Sequence, residues 1–195
     1  MNWAEYLAFM SDQYFTICKD KTVLEIGPND GVHTKLIVNH SPKYLELIEP
    51  FAHATDNLKS IDKVSNVIVD DAFFVLTEKY PVDVVVCCGV LYHLHSPLYL
   101  LELITNNCNP DYIILDCAID QKNISFLVEE DNKAGSRQLI SNWKSAGYNL
   151  VAPLTIIEQS MKNMGYELIK QDNIGACEFK SKENFWVGLW KKQAR

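Results

Sequence analysis

Apolar residues recur at three- and four-residue steps through Trp3, Tyr6, Leu7, Met10, Tyr14 and Ile17. That spacing lines one face of a helix, so residues 1–20 are expected to hold an N-terminal helix. Thr22 to Ile26 is a short apolar run closed by Gly27, and helical spacing resumes from Val32 to Asn39. The alternation continues with strands expected at Tyr44–Ile48, Asn66–Val69, Val82–Cys88 and Tyr112–Cys117, and helices at Ala52–Ile61 and Pro97–Asn106. Alternating strands and helices predict a mostly parallel α/β sheet covered on both faces, and the unbroken apolar stretch Val84-Val85-Val86-Cys87-Cys88 fits one of its inner strands. A helix over Thr155–Met164, stopped by Gly165, and two closing strands at Tyr166–Ile169 and Phe185–Trp190 complete about seven strands. Between Asp120 and Pro153 the pattern weakens into a polar stretch, which is expected to form a substrate lid inserted into the domain.

Composition narrows the class. At 195 residues and 48% hydrophobic content the chain is expected to form one domain over residues 1–195 with a real core. Eighteen basic residues stand against 25 acidic ones, and the net charge of −7 disfavours unaided grip on a phosphate backbone. The six cysteines at 18, 87, 88, 108, 117 and 177 include no Cys-x-x-Cys pair and no His at finger spacing, so no metal site is expected. Cys87 and Cys88 read as small buried hydrophobes in a reducing, cytoplasmic compartment. No apolar run approaches the ~18 residues of a membrane span, and the acidic first turns do not read as a signal peptide. Nothing in the sequence sets the oligomeric state.

The chemistry concentrates in Val23-Leu24-Glu25-Ile26-Gly27-Pro28-Asn29-Asp30-Gly31, an acid near a strand end followed by a turn with glycine at its first and last positions. Glycine lets the backbone approach a ligand and take positive φ, and the helix that follows opens with unpaired N–H groups. Asn29 stands in the middle of the pattern, and asparagine is among the residues that tolerate the left-handed region. The glycine spacing is not that of a dinucleotide fingerprint, which disfavours a pyrophosphate ligand and a nicotinamide oxidoreductase. Glu49-Pro50, 22 residues after Gly27, closes the second strand where an acid can meet a ribose diol. Asp70-Asp71-Ala72 closes the third, where a carboxylate can accept from an adenine amino group. For each acid taken alone, a solvated loop position is the competing reading.

Glu25 to Gly31, Glu49-Pro50, Asp71-Ala72 and the run Asp83 to Pro97 resemble, in order, the successive motifs of class I S-adenosylmethionine-dependent methyltransferases. The Gly89-Val90-Leu91-Tyr92-His93 segment and the stretch from Asn149 to Tyr166 are similar to a subset that includes tRNA wobble-uridine carboxymethyl transferases. The likeness runs from Thr22 to Trp190. It implies a Rossmann-like sheet with an antiparallel final strand and S-adenosylmethionine as cofactor, released as S-adenosylhomocysteine. It further implies that Glu25, Gly27, Asn29 and Gly31 surround the methionine part, that Glu49 and Pro50 hold the ribose, and that Asp71 and Ala72 hold the adenine with Phe51 on its face. Cys88, Gly89 and Val90 would line the transfer site. Asn29 departs from the usual central glycine. The chain is also much shorter than the tRNA-modifying relatives and is expected to lack their additional nucleic-acid-binding region, so a small-molecule acceptor is expected, with tRNA left open.

An activated methyl group needs alignment and exclusion of water more than a strong base. For an acceptor that loses a proton, His93 is the first candidate and Tyr92 the second, His95 sharing the same reading; shaping of the loop through backbone bonds competes with catalysis. In the polar stretch, Arg137, Trp143 and Tyr148 could hold an anionic or planar acceptor, against solvated surface or packing roles. A cofactor-binding protein without transfer activity is the alternative function.

Overall fold

The computed structural model describes residues 1–120, 127–130, 148–175 and 184–194. Helix α1 (Trp3–Gln13) starts at a capping box in which the Asn2 side chain accepts from the Glu5 amide and the Glu5 carboxylate accepts from the Asn2 amide. Then follow β1 (Thr22–Ile26), α2 (Val32–Asn39), β2 (Tyr44–Ile48), α3 (Thr55–Lys59), β3 (Asn66–Ile68), α4 (Ala72–Val75) and β4 (Val84–Cys88). The second half holds α5 (Pro97–Leu103), β5 (Tyr112–Asp120), β6 (Leu127–Glu130), β7 (Tyr148–Pro153), α6 (Leu154–Asn163), β8 (Tyr166–Gly175) and β9 (Asn184–Lys192).

Strands β3, β2, β1, β4 and β5 lie side by side in that order, all parallel. Strand β9 runs antiparallel along β5 from Tyr112 to Ile119, and β8 pairs antiparallel with β9, giving a seven-stranded Rossmann-like sheet with the reversed last strand. Period-two alternation divides the inner strands between two cores. Val85, Cys87, Ile113 and Leu115 face α5 and α6, whereas Val84, Val86, Cys88 and Ile114 face α1 and α2. A strand buried on both faces has no polar position to spare, which is why β4 reads as an unbroken apolar run.

The elements follow the hydrophobic pattern, with local differences. The helix expected over Ala52–Ile61 is a 3₁₀ turn at Ala52–Ala54 followed by α3, and the Pro97–Asn106 helix passes from α5 into a π-helical turn at Ile104–Cys108. Strands β5 and β8 run on to Asp120 and Gly175. At the ends of the stretch expected as a lid, β6 and β7 pair antiparallel, and the end of β7 joins the tip of β5 in parallel. Asn149 to Val151 is strand through its pairing with β6, and Ala152, as the residue before Pro153, is driven from helical to extended backbone. Pro153 itself, extended at ψ 132°, is the N-cap of α6.

Candidate active site

The C-terminal ends of β1, β2 and β4 open on a cavity of about 550 Å³. This is the edge of a parallel sheet where loops and helix N-termini converge, and ligands of open α/β sheets bind there. The turn after β1 forms its floor. Gly27, Asn29 and Gly31 all hold positive φ, at 68°, 53° and 78°. The Gly27 amide donates to the Ile48 carbonyl at 2.9 Å, continuing the β1–β2 pairing past the strand end. A Cβ on Gly27 would lie 2.6 Å from Val90 Cγ2, so the turn and the β4 loop approach as closely as they do only because the residue is glycine. Gly31 is the N-cap of α2, and its Cβ would meet Ile61 and Leu58.

Glu49, buried at the end of β2, ties this turn to the next. Its Oε2 accepts from the Asn29 amide at 2.8 Å and its Oε1 from the Phe51 amide at 3.0 Å. Pro50, Phe51 and His53 continue the wall beside it, with the Phe51 and His53 rings 5.7 Å apart. Glu25 lies beneath the turn and not on the cavity wall, accepting a 2.7 Å hydrogen bond from Thr34 Oγ1. Burial pushes its carboxyl up to about 8; the Thr34 hydroxyl pulls against that rise and the neighbouring Glu49 carboxylate adds to it.

Cys88, Gly89 and Val90 form the opposite wall, followed by Tyr92 and His93 from a 3₁₀ turn at Leu91–His93. Gly89 holds φ 73° and donates its amide to the Asp116 carbonyl on β5. The Tyr92 and His93 rings are 4.2 Å apart. His93 also borders a second, smaller cavity of about 260 Å³, and Asp71 opens onto that one and not onto the larger. Asp71 caps α4 by accepting from the Phe73 amide at 2.9 Å, and its buried Oδ2 has no hydrogen-bond donor among the described residues. Ala72 is buried next to it.

Ten of the residues singled out from sequence thus share one cavity: Gly27, Asn29, Glu49, Pro50, Phe51, Cys88, Gly89, Val90, Tyr92 and His93. Arg137 and Trp143 lie outside the described residues, and Tyr148 opens β7. The same cavity takes in Trp3 from α1, Asp30 from the glycine turn, and Val32 and His33 from the start of α2, none of which has a site role assigned from the sequence. Trp3 belongs to the apolar stripe of α1 and reads as core. His33 lies two residues past Gly31, and its place at the mouth of a glycine turn was the available signal.

The family model described as "Methyltransferase domain" matches residues 2–171. The tRNA U34 carboxymethyltransferase of Helicobacter pylori (strain HPAG1) is 33% identical over 122 residues, 54% of this chain and 45% of that protein. The tRNA U34 carboxymethyltransferase of Campylobacter fetus subsp. fetus (strain 82-40) is 25% identical over 135 residues, 65% of this chain and 46% of that one. The chain therefore matches about half the length of these curated relatives. In fold it is similar to a putative S-adenosylmethionine-dependent methyltransferase from Listeria monocytogenes, with TM-score 0.69 and 13% identity over 96% of this chain and 100% of that one. It is also similar to the Burkholderia thailandensis 1,6-didemethyltoxoflavin-N1-methyltransferase, with TM-score 0.67 and 9% identity over 98% and 87% of the two chains. By family model, motif order and sheet topology together, the chain belongs to the methyltransferase-domain family with the class I, Rossmann-like fold.

Proposed function

We propose that this chain transfers the methyl group of S-adenosylmethionine to a small-molecule acceptor held in the 550 Å³ cavity. The observation that carries the reading is the clamp on Glu49. Two backbone amides from different loops orient a buried carboxylate at the cavity wall, 22 residues after the glycine turn. A carboxylate held in this way presents its acceptor oxygens in a fixed orientation, and a ribose diol is a matching pair of donors. The remaining parts fit a nucleoside as well. Gly27, Asn29 and Gly31 would cradle the methionine end, with Glu25 beneath them. The orphaned Oδ2 of Asp71 would take the adenine amino hydrogen beside Ala72, and Phe51 would cover the ring face.

The cofactor supplies an already activated methyl group. The chain's own task is to align the acceptor, keep water out and receive a proton where one is lost. Cys88, Gly89, Val90, Tyr92 and His93 form the wall that the acceptor would face. Residues 120–153, with Arg137, Trp143 and Tyr148, would select it as a lid on the single domain of residues 1–195. The tRNA-modifying relatives make tRNA the second acceptor to test, against which the net charge of −7 weighs. Among the described residues no helix is long and apolar enough to cross a membrane, in keeping with a proposed cytoplasmic location.

Calorimetry with S-adenosylmethionine, S-adenosylhomocysteine and NAD tests the cofactor. Binding of the first two without the third is expected, and binding of NAD alone would overturn the assignment. An acceptor screen that follows S-adenosylhomocysteine release, with small molecules and tRNA as separate arms, then separates transfer from binding alone. Trimming the lid should change acceptor choice and leave cofactor affinity intact.

A further inference from the structure

Behind the acceptor end of the cavity lies a polar chain that the motifs do not include. Asp116 is fully buried on β5, where it stands opposite Cys88 in the β4–β5 register. The Tyr6 hydroxyl from α1 donates to its Oδ2. Tyr6 Oη is in turn 3.4 Å from Nε2 of His33, which borders the cavity from the first turn of α2. These three residues are 27 and 110 positions apart in sequence, and only the packing of α1 and α2 over the β4–β5 edge brings them together.

We infer that His33, held through Tyr6 by the buried carboxylate of Asp116, takes the acceptor's proton during methyl transfer, an assignment that rests on the methyl-transfer reading of the cavity. Proton bookkeeping along the chain fixes the roles. The single phenolic hydrogen of Tyr6 goes to Asp116, so the phenol oxygen can only accept from His33, and the neutral imidazole then carries its hydrogen on Nε2. Burial, reinforced by the Asp116 carboxylate, drives the Tyr6 hydroxyl far above its ordinary range, so the phenol stays protonated and passes on polarisation, not a proton. As the acceptor oxygen or nitrogen bonds to the methyl carbon, the C–S pair stays on sulfur, leaving a neutral thioether. The acceptor proton passes to the imidazole nitrogen turned away from Tyr6. The positive charge thus moves from sulfur to an imidazolium whose counter-charge is Asp116.

Three aromatic rings hold the imidazole in place. Trp3 lies 6.5 Å away, Tyr6 5.9 Å and Phe15 5.8 Å, the last two edge-on. Trp3 also stacks on Tyr6 at 5.2 Å. The position is right for the acceptor end. Asp116 on β5 is three strand spacings from Glu49 at the end of β2, roughly 14 Å across the sheet. Cys88 and Tyr92 are close enough to bear on the Tyr6 hydroxyl. A fully buried carboxylate on an inner strand is costly where an apolar side chain would not be, and the relay gives that burden a purpose.

The test is nitrogen-detected NMR of imidazoles in the ¹⁵N-histidine-labelled full chain, with His33 assigned by His33→Gln. Without ligand, His33 is expected as the Nε2-protonated tautomer, and Tyr6→Phe is expected to abolish that preference. A predominantly Nδ1-protonated ring, or a tautomer indifferent to Tyr6→Phe, overturns the relay. Adding S-adenosylhomocysteine should shift His33 more than His95, and sinefungin, which carries an amine in place of the methyl, should shift it further. A His33 signal unmoved by ligand, while calorimetry shows ligand bound, removes it from the transfer site. Failure of both compounds to bind would instead break the methyl-transfer reading, and the tautomer arm still decides the relay. With an acceptor from the screen, His33→Gln should lower kcat by about 100-fold or more and leave KM for S-adenosylmethionine within about threefold. Unchanged kcat would overturn the role.

Discussion

At the β1–β2 end the cavity is lined by a glycine turn and a carboxylate clamped by backbone amides, with Pro50, Phe51 and His53 beside them, whereas at the other end side chains from α1, α2 and the loop after β4 line it, backed by the buried Asp116 of β5. The first end is made of turns: Gly27, Asn29 and Gly31 in left-handed conformations, with the Asn29 and Phe51 amides on Glu49. The second is made chiefly of long-range contacts, Tyr6 on Asp116 and Tyr6 beside His33, next to the adjacent Tyr92 and His93 rings. A backbone-built site depends on a few positions where no other residue fits. A side-chain-built site can be altered one group at a time without disturbing the chain trace. On the function proposed above, cofactor recognition and acceptor chemistry would thus rest on architectures that differ in how freely they can vary.

The largest effect expected lies beneath the backbone-built end. Glu25 titrates near 4.5 when unfolded and is lifted to about 8 by burial in the fold. Between those values the folded state holds the extra proton, so this contribution to stability is fully present below about pH 4.5 and is lost as pH rises through 8. Glu25→Gln stays neutral throughout. Urea denaturation at about pH 5 and pH 8 should show the variant losing less stability than the parent, by on the order of 4 kcal/mol. Equal losses in the two proteins would mean that Glu25 is ionised in the fold and that the turn rests on a charge.

Paired alanine substitutions at two glycines of similar φ come next. Gly27→Ala combines left-handed strain with a Cβ 2.6 Å from Val90 Cγ2, and a loss of about 3 kcal/mol is expected in thermal or chemical denaturation. At Gly89 the new Cβ would meet, among the described residues, only the Tyr92 hydroxyl at 3.5 Å, so the loss should be nearer 1–2 kcal/mol. Equal losses would erase the distinction between the two ends.

Glu49→Ala should weaken S-adenosylhomocysteine binding by about 1.5–3 kcal/mol in calorimetry, the range for hydrogen bonds to a charged group. Unchanged affinity would remove Glu49 from the ribose. The smallest effect is expected at Asn29→Gly, which restores the glycine that the family resemblance implies. Asparagine already tolerates φ 53°, and its contact with Glu49 is through the amide, which glycine keeps. Affinity should stay within about threefold and stability within about 1 kcal/mol. A larger change in affinity would give the Asn29 side chain a part that the backbone account leaves out.

The same contrast explains how much was legible beforehand. The mostly parallel sheet of about seven strands and its reversed last strand followed from alternating periods together with the family likeness, and the Gly27–Gly31 turn and Glu49 are local signals at strand ends. Pairing of β6 with β7 was missed because the stretch between Asp120 and Pro153 reads as polar, although Tyr148 to Pro153 ends in an apolar run that Pro153 holds extended. Tyr6 and Trp3 were read as one apolar helical stripe. Periodicity reports that a face is buried, not what it is buried against.

The linear chain by itself determined the seven principal strands and most of the helices, since those follow from spacing of apolar positions, and where glycine had to stand, since left-handed turns are set by local sterics. Only the tertiary structure decided that Glu25 lies under the cavity and not in its wall, that Asp71 opens onto a neighbouring cavity, and that Asp116 meets Tyr6 and His33 across 110 and 27 residues. The reason is physical: a hydrogen bond between distant side chains leaves no period in the sequence, because its geometry exists only once the helices are packed on the sheet.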